Sequence, residues 1–239
     1  MAQTEKLTHK DVRDLVKHDA FRETTVETLK FVSGHKSQLY KYVGGALALI
    51  VLIGGVFWFR GYQHTVREEK LEKLLHIWDA PVTTDPPPFA ARSFKTQPEK
   101  DKTLETDFAA FASDNKGSDE AVQALYYLGV HYADAGNLSE ADKNFRAAID
   151  QGSGSYAAMA KIALAQSLRA QGKVDEGAKL IQSIIDKPVD LVSKEAATIE
   201  LARLIMQTKP VEARRLLEPL RTSRAAISQA AVALLSEMK

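Results

Sequence analysis

Cysteine is absent from all 239 residues. That removes disulfides, thiolate zinc sites, iron–sulfur clusters and cysteine nucleophiles together. An excess of one charge is missing too. The 32 Lys and Arg stand against 31 Asp and Glu, and a net charge of +1 gives neither a general basic field for nucleic acid nor an acidic tail. With 13 Gly and 8 Pro, collagen-like and Gly-rich low-complexity architectures are excluded. The six His are scattered and form no H-E-x-x-H pattern. What is present, 45% hydrophobic and 26% charged residues, suits a chain that folds over most of its length.

One long hydrophobic run stands out. Tyr42 to Phe59 is eighteen residues without a formal charge. As a helix it spans roughly 27 Å, close to the ~30 Å hydrocarbon thickness of a bilayer. Lys41 and Arg60 close its ends, and Tyr40, Tyr42, Trp58 and Tyr62 sit where amphipathic rings favour the interface. Forty-one mostly polar residues precede the run, and no small-residue cleavage pattern follows before Arg60. The run therefore predicts an uncleaved signal anchor, 42–60, that crosses once; the other reading is a buried helix of a soluble protein. Orientation does not follow from charge. Arg22, Lys30, Lys36 and Lys41 on one flank balance Arg60, Arg67, Lys70 and Lys73 on the other.

The amino tail, 1–41, is charged but patterned. Thr8 to Asp11 resembles a capping box with Asp in place of Glu, and Val12, Leu15 and Val16 follow at helical spacing. Phe21, Val26, Leu29 and Val32 give a second run. One or two amphipathic helices are expected, facing the membrane surface or a partner. Residues 61–80 continue the anchor as a juxtamembrane helix with Val66, Leu71, Leu74, Leu75 and Trp78 on its apolar side. Pro81, Pro86, Pro87, Pro88 and Pro98 then crowd residues 81–100, which predicts an extended, semi-rigid spacer.

From Asp101 onward Ala is frequent, turns recur and no strand alternation appears, so 101–239 is expected to be all-α. The region repeats. Leu128 and Gly129 are followed by Tyr132, Gly136, Ala141, Phe145 and Ala148. Leu164 and Ala165 are followed by Leu168, Gly172, Gly177, Ile181 and Ile184; Leu201 and Ala202 by Ile205, Ala213, Leu217 and Leu220. The spacings from Gly129 to Ala165 and from Ala165 to Ala202 are 36 and 37 residues. This resembles the tetratricopeptide repeat, a helix–turn–helix unit of about 34 residues. Small residues at 129, 165 and 202 let the first helix approach its partner, and Gly136 and Gly172 are placed to end it. Asn137 and Glu140 predict a reciprocal cap on the next helix. Pro210 suits a first-turn position. A single hairpin cannot bury its apolar side, so flanking helices are expected, at Thr103 to Asp114 and Ala225 to Met238. The whole predicts a short right-handed solenoid of about eight helices, with a plain helical bundle as the alternative.

The order of segments resembles the YfgM family, ancillary subunits of the bacterial SecYEG translocon in a periplasmic chaperone network. The proline-rich stretch departs from that pattern. The resemblance implies a single-pass protein of the bacterial inner membrane, amino terminus cytoplasmic and repeats periplasmic. Its partners would be translocon subunits, periplasmic chaperones or unfolded clients. A second expectation is a repeat factor for envelope assembly, in outer-membrane protein insertion or division-linked wall coordination.

No constellation for catalysis, a cofactor or a metal emerges, so no enzyme is expected. Ser33 to Lys36 fits S-x-x-K and Ser113 to Asn115 fits S-D-N, but the anchor separates them and K-T-G is absent. His131 and Asp134 share a helix at three-residue spacing with no third ligand evident, and read as a surface pair. Gly152 to Gly154 is a turn, not a phosphate loop. Gly44 and Ala48 are one small-xxx-small pair. In tetratricopeptide proteins the first helix of each unit lines a concave groove. The matching positions are Gln123, Tyr126, Val130 and Asp134; Met159, Ile162, Gln166 and Arg169; and Ala196, Ile199, Arg203 and Met206. Clamp-type repeats that hold a peptide carboxylate use Lys and Asn where Tyr126 and Val130 stand. An apolar, Met-containing groove suits an amphipathic helix or an unfolded segment instead, unless the protein's own helices cover it.

Overall fold

The structure is a computed structural model that describes residues 36–86, 88 and 92–238. The amphipathic helices expected in the tail, and Ser33 of the S-x-x-K pattern, lie outside the described residues. The described residues form nine α-helices and one 3₁₀-helix. They contain no strand, only two isolated bridges. The chain divides into two compact units, 1–64 and 65–239.

In the first unit, helix α1 (Lys36–Asp79) carries the hydrophobic run. Its most apolar eighteen-residue window has a mean hydropathy of 1.7 and none of it is buried. Each large apolar residue from Leu47 to Phe59 is exposed, and Trp58 stacks on Tyr62 at 6.2 Å. Helix α1 is long and apolar enough to cross a membrane.

The second unit begins within α1. Between Thr65 and Asp79 the pattern changes from uniformly apolar to two-sided, and Leu71 and Ile77 are buried. Residues 81–100 are not the extended spacer that their prolines suggest. Thr83 N–H donates to the Phe94 carbonyl at 2.8 Å and Phe94 N–H to the Pro81 carbonyl at 3.0 Å, which brings the described residues 81–83 and 94 side by side. Ala80 and Phe94 enter the core, and the Arg92 guanidinium lies 5.0 Å over the Phe94 ring. The prolines stop a helix here, as expected. They do not prevent this approach, and burying the Phe94 ring favours it. The next helix, α2 (Gln97–Asp114), starts six residues earlier than expected, capped by Thr96 and with Pro98 in its first turn. Residues 65–79 and α2 thus bury side chains in one core cluster, ahead of the three pairs read from the repeat.

The three pairs are α3 (Asp119–Asp134) with α4 (Leu138–Gln151), α5 (Ser155–Ala170) with α6 (Val174–Asp186), and α7 (Lys194–Ile205) with α8 (Pro210–Leu217). Helix α9 (Ala225–Glu237) follows. Each helix from α2 to α8 packs on the next, and α3–α5 and α5–α7 also touch. Gly136 and Gly172 sit at φ +75° and +78° after the first helix of their pairs, a conformation that costs a side chain and suits Gly. At Gly129 a Cβ would stand 2.5 Å from the Phe145 ring, so the small residue is what admits the second helix. The cap on α4 has one arm, not two. Glu140 N–H donates to Asn137 Oδ1 at 3.3 Å, while the Glu140 carboxylate pairs with Lys143 at 3.1 Å. Pro210 opens α8. Pro219, without an N–H to donate, ends the α-helical ladder, and Glu218–Thr222 continues as 3₁₀. The buried residues form two clusters, one around Ile77, Phe108 and Phe145, the other around Ile181, Ile205 and Leu217.

Candidate protein-binding groove

The first helices of successive pairs stand beside one another. Helix α3 touches α5 and α5 touches α7, while Trp78 of α1 packs on Tyr127 of α3 at 5.8 Å. The residues expected to face a groove divide by burial. Tyr126, Val130, Met159, Ile162 and Met206 are half-buried and pack on the two core clusters. Gln123 and Ala196 are half-buried, and Asp134, Gln166, Arg169 and Arg203 are exposed. Ile199 is the exception. At 5% exposure it belongs to the second core cluster, because α7 is short and packed against α8 and α9, so it presents almost nothing. An Arg169 Nη1–H donates to the Arg203 carbonyl at 3.4 Å and joins α5 to α7.

Tyr126 belongs to an aromatic group that the repeat motif did not indicate. Its ring lies 5.6 Å from Tyr127, 5.8 Å from Tyr156 and 6.2 Å from Phe145. Tyr127 also meets Tyr156 at 6.1 Å and Phe108 at 6.4 Å. These edge-to-face and tilted pairs bring residues of α2, α3, α4 and α5 into one patch. Burial pushes the Tyr156 phenol up to about 12, helped by Tyr127 and Tyr126 beside it. Burial, then Tyr127, also raises Tyr126. Tyr132 is raised by burial and by the Glu105 carboxylate it faces. All three therefore remain neutral hydrogen-bonding groups at neutral pH. The adjacent Tyr126 and Tyr127 and the Tyr156 at the head of the next unit were visible in the sequence. Only helix geometry says that they meet.

The motifs considered for chemistry are placed as follows. Ser113, Asp114 and Asn115 end α2, with Asn115 Nδ2 donating to the Phe111 carbonyl at 2.8 Å. His131 is not the surface residue that its spacing with Asp134 suggested. Its side chain is 12% exposed, 3.3 Å from the Glu105 carboxylate and edge-on to Trp78. Among the described residues no group of three or more His, Asp or Glu could hold a metal ion.

The family model of the tetratricopeptide repeat-like domain matches residues 41–196. The chain belongs to that family. No curated protein and no solved structure matches the chain. The match takes in the apolar part of α1 as well as the first repeats, so the hydrophobic helix and the start of the tetratricopeptide repeat-like domain fall within one family unit. Domains of this kind are scaffolds for protein–protein interaction, built from stacked helix pairs that each contact their neighbours.

Proposed function

We propose that this protein is a membrane-anchored scaffold whose repeats hold other polypeptides, and that residues 42–60 cross the bilayer once. The observation that carries the reading is the juxtaposition within one chain of a fully exposed apolar helix and a tetratricopeptide repeat-like domain. The domain's half-buried face at Tyr126, Met159, Ile162 and Met206 suits an apolar or amphipathic segment, since Met adapts its shape to varied side chains. Gln123, Val130, Gln166 and Arg203 border it.

The finer reading follows the resemblance of segment order. It is an ancillary component of the bacterial translocon and periplasmic chaperone network, with the amino tail cytoplasmic and the repeats periplasmic. The Cys-free chain is a ready background for a topology test. A single Ser153→Cys, on an exposed turn, reacts with a membrane-impermeant maleimide in intact spheroplasts if the repeats are periplasmic; protection until lysis reverses the assignment. Crosslinking from the juxtamembrane helix then separates translocon subunits from envelope-assembly machinery. Tyr126→Asp with Met159→Asp weakens partner capture while circular dichroism is preserved. Unchanged capture removes this face from the binding surface.

A further inference from the structure

A cleft of about 320 Å³ opens where α1 and α3 end and α2 begins, lined by Trp78, Gln97, Lys100, Asp101, Leu104, His131, Asp134 and Ala135. Trp78 and Leu104 supply an apolar wall. Asp101 and Asp134 bring carboxylates from two different helices. Gln97 Nε2–H donates to Asp101 Oδ1 at 2.7 Å, and the exposed Asp134 forms no ion pair among the described residues. One helix, α2, begins at the cleft with partial positive charge, and two end there, each with the partial negative charge of a C-terminus. The protein already places one ammonium against such a terminus: Lys100 Nζ donates to the carbonyls of Trp78 at 2.6 Å and Ala80 at 2.8 Å. Lys100 is thereby held on backbone oxygens. His131 is engaged with Glu105 at 3.3 Å.

We propose that this cleft receives the side chain of an Arg or Lys from a bound polypeptide, its charged head between Asp101 and Asp134 and its aliphatic stem against the Trp78 indole. An aromatic wall beside carboxylates suits an organic cation on an alkyl stem, by cation–π attraction and charge-assisted hydrogen bonds. The inference rests on the scaffold reading and narrows it: the captured segment carries a basic residue next to an apolar stretch.

The test uses the full chain in detergent with Trp58→Phe, so that Trp78 is the sole indole. Methylguanidinium is titrated at constant ionic strength, with methylurea as its uncharged analogue. A saturable change in Trp78 emission is expected with methylguanidinium and none with methylurea. Asp134→Asn alone, and with Asp101→Asn, weakens the response at least fivefold with an unchanged melting curve. A pentapeptide with a central Arg binds at least tenfold tighter than methylguanidinium, and its citrulline counterpart loses that gain. Absence of saturation, equal response to methylurea, or indifference to the Asp substitutions overturns the site. Equal affinity of peptide and methylguanidinium overturns the polypeptide as its occupant. The Tyr126→Asp, Met159→Asp capture experiment is independent. If it succeeds while methylguanidinium fails, the cleft assignment falls and the scaffold stands; the reverse result removes the Tyr126 face from the binding surface and leaves the cleft.

Discussion

Helix α1 contains two stretches that share a backbone and little else. From Leu47 to Phe59 it is apolar on every side and wholly exposed, whereas from Thr65 to Asp79 it is two-sided, with Leu71 and Ile77 buried and Glu69 and Lys73 on the open face. A helix apolar all round has no polar face to give to water and suits a membrane or a protein core. A helix with one apolar stripe buries it on protein. The same hydrogen-bonded ladder serves both, and side-chain distribution alone sets them apart.

The largest expected effect breaks the first stretch. On the proposed anchor, Val51→Arg with Leu52→Arg costs about 3 kcal/mol per Arg at a helix centre in a bilayer, and moves the protein from the membrane to the soluble fraction on ultracentrifugation. A matched pair then contrasts the two stretches directly. Ile77→Ala removes a side chain that is 1% exposed and costs the repeat domain roughly 2–5 kcal/mol in a urea titration. Ile53→Ala, on a 48% exposed side chain, leaves that titration unchanged. An equal loss from both substitutions would abolish the distinction.

A smaller effect tests what joins residues 65–79 to α3. The Arg67 Nε–H donates to the Glu120 carboxylate at 2.9 Å, and that carboxylate's side chain is 4% exposed. Arg67→Met deprives a buried carboxylate of its guanidinium and costs roughly 2 kcal/mol in the same titration. The smallest effect concerns Tyr156. Its folded-state phenol ionises near 12, above the usual 10. The neutral form is thus favoured by folding. That contribution is fully present below pH 10 and is lost as pH rises from 10 through 12. Spectrophotometric titration of Tyr156→Phe loses one late-ionising phenol, and the variant's melting temperature falls less steeply over that window.

Much of the fold is legible because repeats state their own geometry. Gly129 and Phe145 show the close approach of two helices, Gly136 and Gly172 mark helix ends, and Pro210 marks a start. The proline-rich segment misled because proline reports local dihedral limits and says nothing about where Phe94 will be buried. The burial of residues 65–79 in the repeat domain's core was missed for the same reason. Trp78 and Leu104 are separated by that segment in sequence but line one cleft. The groove positions were read from a motif, which locates a helix face but not its depth, so Ile199 was expected at the surface and lies in the core.

The sequence by itself determined an all-helical chain with one apolar helix of bilayer length and a tetratricopeptide period, since hydrophobic periodicity and glycine placement are local properties. Only the tertiary structure decided that residues 65–79 belong to the repeat domain, that three Tyr form one patch, and that Trp78, Asp101 and Asp134 share a cleft. The cleft joins residues 23 to 56 positions apart, and packing, not local preference, sets such distances.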